Sequence, residues 1–178
     1  MRTDITRVDA LAPSDREALR ALTVAVYTPA VIASLPAMRV TWAQAEWSIR
    51  VWDDAERLVS HVGVLARTVL VDGARVQIGG IGGVKTHPDA RGKGYASSGI
   101  REAVRFFTDE LRVAFALLVC LPPTVPFYER QGWQRFDGTL LVQQPDGIIS
   151  FTANLPMVLP ILSPAPADGT IDLCGEPW

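Results

Sequence analysis

Val84-Lys85-Thr86-His87-Pro88-Asp89-Ala90-Arg91-Gly92-Lys93-Gly94-Tyr95-Ala96-Ser97-Ser98 decides the reading of this chain. A Gly/Val/Ile-rich run from Val76 to Thr86 leads into it and reads as a strand. Behind it Ala96, Ile100, Ala103, Val104, Phe107 and Leu111 recur at helical spacing. Between strand and helix lies Arg91-Gly92-Lys93-Gly94, a short basic turn. Glycines let backbone approach a ligand closely, and successive N–H groups at a helix start cradle an anion. Arg91 and Lys93 add charge for a pyrophosphate, and the small Ala96, Ser97 and Ser98 leave room over the first helical turn. The stretch reads as a phosphate-ligand site.

Its spacing excludes two rivals. A P-loop needs Gly, four residues, Gly, Lys and then Ser or Thr, which is absent. A dinucleotide fingerprint needs Gly-x-Gly-x-x-Gly; Gly92 and Gly94 fit, but Ser97 stands third, and no acidic residue ends a second strand about 20 residues on. The stretch resembles instead the acyl-CoA loop of the GCN5-related N-acetyltransferases, Arg/Gln-x-x-Gly-x-Gly/Ala, which Arg91, Gly94 and Ala96 match at every defined position. The resemblance implies acetyl-CoA as acyl donor. Arg91, Gly92, Lys93, Gly94, Tyr95, Ala96 and Ser97 would hold its pyrophosphate, and the backbone of Val84, Lys85 and Thr86 would pair with the pantetheine arm like an added strand.

The chain has 178 residues, 48% hydrophobic and 20% charged, with net charge −2, which suits a single globular domain over 1–178. That balance gives no field for nucleic acid or an anionic membrane, so the basic turn is a local site. The longest apolar run, Val113 to Leu121, is far below the roughly 20 residues of a membrane helix. Met1-Arg2-Thr3-Asp4 lacks the apolar stretch of a signal peptide, and Cys120 and Cys174 form neither a metal spacing nor a disulfide pattern. A reduced cytoplasmic setting, no metal, a small-molecule partner and room for a homodimer are the expectations.

Along the chain, Ile5 to Val8 reads as a strand, and Ser14 with Glu17 has capping-box spacing ahead of a helix to Val26. Thr41 and Gln44 repeat that spacing ahead of a second helix through about Val51. Arg57 to Ala66 reads as a strand, with Asp72-Gly73 as a hairpin turn. Ala114 to Leu121 is a buried strand, and Thr124 to Gln131 a short helix stopped by Gly132. Trp133 to Gln144 and Ile148 to Asn154 read as a hairpin around Pro145-Asp146-Gly147. Pro156, Pro160, Pro164 and Pro166 mark residues 156–178 as an extended tail lying on the domain. The alternation predicts an α/β, or mixed α+β, domain, and its element order resembles the acetyltransferase fold, a central mixed sheet flanked by helices.

A second motif carries chemistry. Pro126-Phe127-Tyr128-Glu129-Arg130-Gln131-Gly132-Trp133 matches the family's aromatic-Tyr-x-x-x-Gly-aromatic segment, and the resemblance makes Tyr128 the proton donor to the leaving CoA thiolate. Read on its own, Tyr128 is a helix aromatic packed on a sheet. The family's strand glutamate, which holds a water for the acceptor amine, is missing: Ile78-Gly79-Gly80-Ile81-Gly82-Gly83-Val84 has no carboxylate, and Gly82 stands in its place. Glycines so dense in a strand suit a close backbone approach, a wide groove or a bulge, or tight helix packing.

The run His61-Val62-Gly63-Val64-Leu65-Ala66-Arg67, the Asp72-Gly73 turn and the ending Asp172-Leu173-Cys174-Gly175-Glu176-Pro177-Trp178 resemble the aminoglycoside 2′-N-acetyltransferase branch. The resemblance implies that Glu176, the Trp178 carboxylate and Asp146 bind a cationic amine, and leaves the terminal carboxylate as the remaining proton acceptor; read on its own, the tail covers a hydrophobic edge with Trp178 as a plug. Leu35-Pro36-Ala37-Met38 stands where that branch has Gly-Asp-Phe, so a more apolar acceptor pocket is expected, with at least one of Trp42, Trp47 and Trp52 facing a groove and core packing accounting for the rest. Nodulation-type acyltransferases share a similar tail, which leaves longer acyl donors open. A catalytically silent CoA-binding module is the rival from another class. His61 reads as a core or edge histidine, or as a catalytic one.

Overall fold

The structure is a computed structural model that describes residues 1–34 and 40–178. Leu35-Pro36-Ala37-Met38 lies outside the described residues.

Two compact units make up the chain. The first comprises the N-terminal residues with Ala45–Val64 and Gly83–Ala103. Its elements are strand β1 (Arg2–Arg7), helices α1 (Pro13–Val26) and α2 (Pro29–Ser34), strand β2 (Trp47–Trp52), the first part of β3 (Leu58–Val71), the end of β4 (Ala74–Thr86) and most of α3 (Tyr95–Phe106). The second comprises residues 40–44, Leu65–Gly82 and Val104–Trp178. It holds the remainder of β3 and β4, then β5 (Phe115–Cys120), α4 (Val125–Glu129), β6 (Gln134–Arg135), β7 (Thr139–Gln144), β8 (Gly147–Ser150), β9 (Leu155–Pro160) and β10 (Thr170–Asp172). Hydrogen bonding orders the strands β6-β9-β5-β4-β3-β10-β7-β8, with β2 on β3 and β1 on β2. β4 with β5 and β10 with β7 are parallel, whereas β5 with β9, β3 with β10 and β7 with β8 are antiparallel. This is the mixed α/β class expected.

In the first unit, Leu22 and Val26 of α1 bury against Leu58, with Ala18 and Leu19 beside them. That is the apolar stripe read from the sequence. Its start differs: α1 begins at Pro13, with Ala12 at the cap position and no side-chain cap. Proline in the first turn has no N–H to satisfy and a preset φ, so the Ser14–Glu17 box is not needed. The helix expected before Val51 is strand β2. Ser48, Ile49, Arg50 and Val51 are buried in succession, as a strand covered on both faces requires. Arg50 is tolerated there because Asp4 of β1 and Asp15 of α1 pair with its guanidinium.

In the second unit, Ile78, Phe115, Leu117, Val142, Val158, Ile171 and Trp178 share one core. Here two sequence expectations are corrected. Trp133 does not open the hairpin: β6 pairs with β9, and only β7 and β8 form the turn around Asp146. Residues 156–178 are not a tail laid over the sheet but part of it, since β9 lies between β6 and β5 and β10 between β3 and β7. Proline is compatible with β9 because Pro156 turns its carbonyl to Phe136 N–H. Its missing donor therefore faces the two-residue strand β6, and no long ladder is broken.

Candidate functional site

In the first unit the basic turn follows β4. His87 N–H donates to the Val59 carbonyl at 2.8 Å, and its Nδ1 accepts from Asp89 N–H at 3.3 Å. These bonds set a 3-10 turn, Pro88–Ala90, whose Ala90 is buried. Arg91 then leaves the turn extended and exposed, its Nε donating to the Thr86 carbonyl at 3.4 Å. Gly92 and Gly94 have φ of +74° and +83°, and a Cβ on either would meet nothing within 4 Å. Their conformation, not crowding, is what demands glycine. The first bond of α3 runs from Ser98 N–H to the Gly94 carbonyl at 3.0 Å. The N–H groups of Tyr95, Ala96 and Ser97 therefore precede the helical ladder and have no acceptor within it. With exposed Arg91 and Lys93 beside them, these are donors and charges of the kind that can receive an anion at a helix start.

The end of β4 is braced from below. The Ser60 hydroxyl donates to the Lys85 carbonyl at 3.0 Å and lies 2.8 Å from Thr86 Oγ1. Lys85 turns its ammonium to Thr23 Oγ1 of α1, 3.0 Å away. Burial pushes its pKa down. His61 on β3 is buried, with Nδ1 3.1 Å from the Gly83 carbonyl. Desolvation, then the neighbouring Lys85 charge, lowers its pKa to about 4, so the imidazole is neutral at pH 7.

In the second unit Tyr128 is buried on α4, edge-on to Phe127 at 5.0 Å and to Trp133 at 6.2 Å. Trp178 explains half of the strand glycines. A Cβ on Gly80 would lie 2.4 Å from Trp178 Cε2, and one on Gly82 would lie 2.9 Å from the Trp178 carboxyl carbon. On the other face, Gly79 makes the same room for Phe107. The indole N–H donates to the Leu117 carbonyl at 3.0 Å, and the Arg67 guanidinium sits 5.0 Å from the indole ring. Arg67 also donates to the Glu176 carbonyl at 2.7 Å.

Three acceptor-side candidates are carried by segments bonded to one another. Gln144 exchanges bonds with the Thr41 backbone, Ala43 N–H donates to the Pro177 carbonyl and Gln143 N–H to that of Gly175. Trp42, Asp146 and Glu176 thus stand on neighbouring backbones; Trp42 is 39% exposed, edge-on to Phe151. Trp47 and Trp52 lie on β2 instead, under Arg7 and Arg2. Sequence reading missed Arg67 and the His61–Gly83 bond. The signal was there in part: glycines two apart on a strand, as Gly80 and Gly82 are, clear one face for a large ring. Among the described residues no group of His, Cys, Asp and Glu could hold a metal ion, and no helix is long and apolar enough to cross a membrane.

The family model described as "Acetyltransferase (GNAT) domain" matches residues 8–136, well over half of the chain. The chain belongs to the GNAT acetyltransferase family. Solved structures agree with this acetyltransferase in fold. The GNAT family N-acetyltransferase YhbS from Escherichia coli, in complex with CoA, is similar over 97% of this chain and 90% of that one, with TM-score 0.61 and 16% identity. A GNAT family acetyltransferase from Brucella melitensis in complex with acetyl-CoA covers 96% and 94%, with TM-score 0.57 and 17% identity. The ribosomal-protein-S18-alanine N-acetyltransferase from Escherichia coli covers 92% and 96%, with TM-score 0.54 and 15% identity. No curated protein matches the acetyltransferase in sequence.

Proposed function

We propose that this acetyltransferase moves the acetyl group of acetyl-CoA to a primary amine of a small cationic acceptor, with aminoglycosides the first class to test. The observation that carries the donor side is the Arg91–Ala96 turn. Two left-handed glycines bring it to the start of α3, where three N–H groups without helical acceptors stand beside exposed Arg91 and Lys93. A pyrophosphate supplies the acceptors those groups lack. The acceptor side rests on Glu176, Asp146 and the Trp178 carboxylate, whose segments are hydrogen-bonded together.

In the proposed reaction the amine attacks the thioester carbonyl carbon while the Val84 N–H polarises its oxygen. A C–N bond forms, the C–S bond breaks, and the Tyr128 phenol gives its proton to the thiolate. The ammonium proton passes, through water, to the Trp178 carboxylate. The support for that last step is position: the carboxyl carbon lies 2.9 Å from where a side chain at Gly82 would begin, and Gly82 is the position of the family's glutamate.

Thiol release from acetyl-CoA across aminoglycosides, polyamines, amino acids and neutral amines tests this reading. Turnover confined to cationic primary amines is the expected outcome, and an acetyl preference over longer acyl donors fixes the group transferred. Tight CoA binding with no turnover on any amine would instead favour the silent CoA-binding module. Adding one alanine after Trp178 moves the carboxylate while keeping the indole. Unchanged turnover in that variant would remove the carboxylate from the mechanism.

A further inference from the structure

Gly83 sits inside β4 yet has φ +59°. A left-handed residue within a strand breaks the alternation of ladder groups and re-aims the peptide that follows, as a bulge does. Such a peptide needs something to hold it, because the ladder no longer does. His61 is placed to do so: its Nδ1 is 3.1 Å from the Gly83 carbonyl oxygen. A carbonyl only accepts, so Nδ1 carries the hydrogen.

We propose that His61 is a positioning residue for the transfer step, holding the Gly83–Val84 peptide so that the Val84 N–H faces the thioester oxygen. The link is covalent geometry. Among the described residues no peptide bond is cis, so the Gly83 carbonyl and the Val84 N–H lie in one plane and point in opposite directions. A bond that pins the carbonyl toward β3 therefore aims the N–H away from β3. It also draws electron density onto the carbonyl oxygen, which makes that N–H a stronger donor.

The surroundings keep the bond fixed rather than switched. Lys85 and Arg50 are the charged groups that act on His61, both raising the cost of a protonated ring, and burial adds to it. The imidazole is neutral at working pH, and its one N–H is committed to Gly83. Protonation at Nε2 would leave the Nδ1–H donor in place. The role therefore predicts a change in the height of the pH–rate profile on mutation, not in its shape, which separates it from a proton-acceptor role for His61.

The inference rests on the reading above in which the Val84 N–H polarises the thioester. The test uses the full chain with acetyl-CoA and the best amine found. His61→Leu removes the donor, whereas His61→Asn offers an amide N–H near the place of Nδ1. Leu should lower kcat about ten- to a hundredfold, somewhat less than loss of an oxyanion donor outright, with the CoA dissociation constant unchanged. Asn should recover most of that loss. Difference infrared spectroscopy of bound acetyl-CoA labelled with 13C at the thioester carbonyl supplies the specific signature. The stretch should fall in frequency on binding to wild type and to the Asn variant, and return toward its solution value in the Leu variant. Wild-type kcat in His61→Leu, or equal losses in Leu and Asn, overturns the proposal. If neither variant folds, Gly83→Ala tests the same peptide from its other end, and wild-type kcat there overturns it too. No frequency change on wild-type binding would instead sink the Val84 reading, and no turnover on any amine would sink the transferase reading, each taking this proposal with it.

Discussion

His61 is buried, and its folded pKa, about 4, lies below the ordinary imidazole value of 6.5. The unfolded chain thus binds a proton between those pH values that the folded chain refuses. Stability from this group is fully present above about pH 6.5 and is lost as the pH falls through 4. The loss reaches about 3 kcal/mol at the low end, at roughly 1.4 kcal/mol per pKa unit. Melting temperatures measured from pH 7 to 4.5 should fall more steeply for wild type than for His61→Asn; parallel curves would contradict the buried neutral imidazole. Tyr128 is read as a proton donor needed only when the thiolate leaves. Tyr128→Phe should keep CoA affinity and lower kcat by roughly ten- to a thousandfold. Pre-steady-state thiol release and CoA titration check the two parts separately, and full activity would hand the proton to water.

At the scale of elements, the turn between β4 and α3 is legible because its conformation is local. Gly92 and Gly94 mark left-handed backbone, and the helical spacing behind them fixes where α3 and its first N–H groups begin. Gly94→Val tests the anion site proposed there. A branched side chain at φ +83° costs on the order of 1–2 kcal/mol where no neighbour needs to move. Relief of that strain would pull the cradle apart, so the CoA dissociation constant should rise about tenfold or more by calorimetry, with the fold intact by circular dichroism. The misread elements failed for the opposite reason: their structure is decided by partners far along the chain. Trp47 to Trp52 has a cap-like start in Thr41 and Gln44. Pairing with β1 and β3 overrides it, and buried Arg50 is acceptable only once Asp4 and Asp15 are in place. In β9 the prolines read as an extended tail rather than a strand, and only the shortness of β6 makes them harmless to the sheet. Trp178 is legible as a plug over a hydrophobic edge, but that its indole enters the core over Gly80 depends on a contact the sequence does not spell out.

Over the whole molecule, a net charge of −2 on 178 residues leaves little long-range field, so recognition of charged ligands falls to local groups. Two sets of opposite sign are proposed. Arg91 and Lys93 lie in the first unit, and Asp146, Glu176 and the Trp178 carboxylate in the second. Each set is exposed or half-buried, apart from the buried Trp178, and ions screen such charges over about 8 Å at physiological strength. The KM for a polycationic amine should therefore rise with added salt, and so should the CoA dissociation constant, but the two dependences should be separable. Asp146→Asn with Glu176→Gln should raise the amine KM at low salt and flatten its salt dependence, leaving that of CoA as in wild type. Arg91→Gln with Lys93→Gln should do the reverse. Asp146, Arg91 and Lys93 are exposed and Glu176 is half-buried, and these substitutions need not perturb the fold beyond about 0.5 kcal/mol. Should the acidic pair leave the amine's salt dependence untouched, the acceptor is not held by these carboxylates.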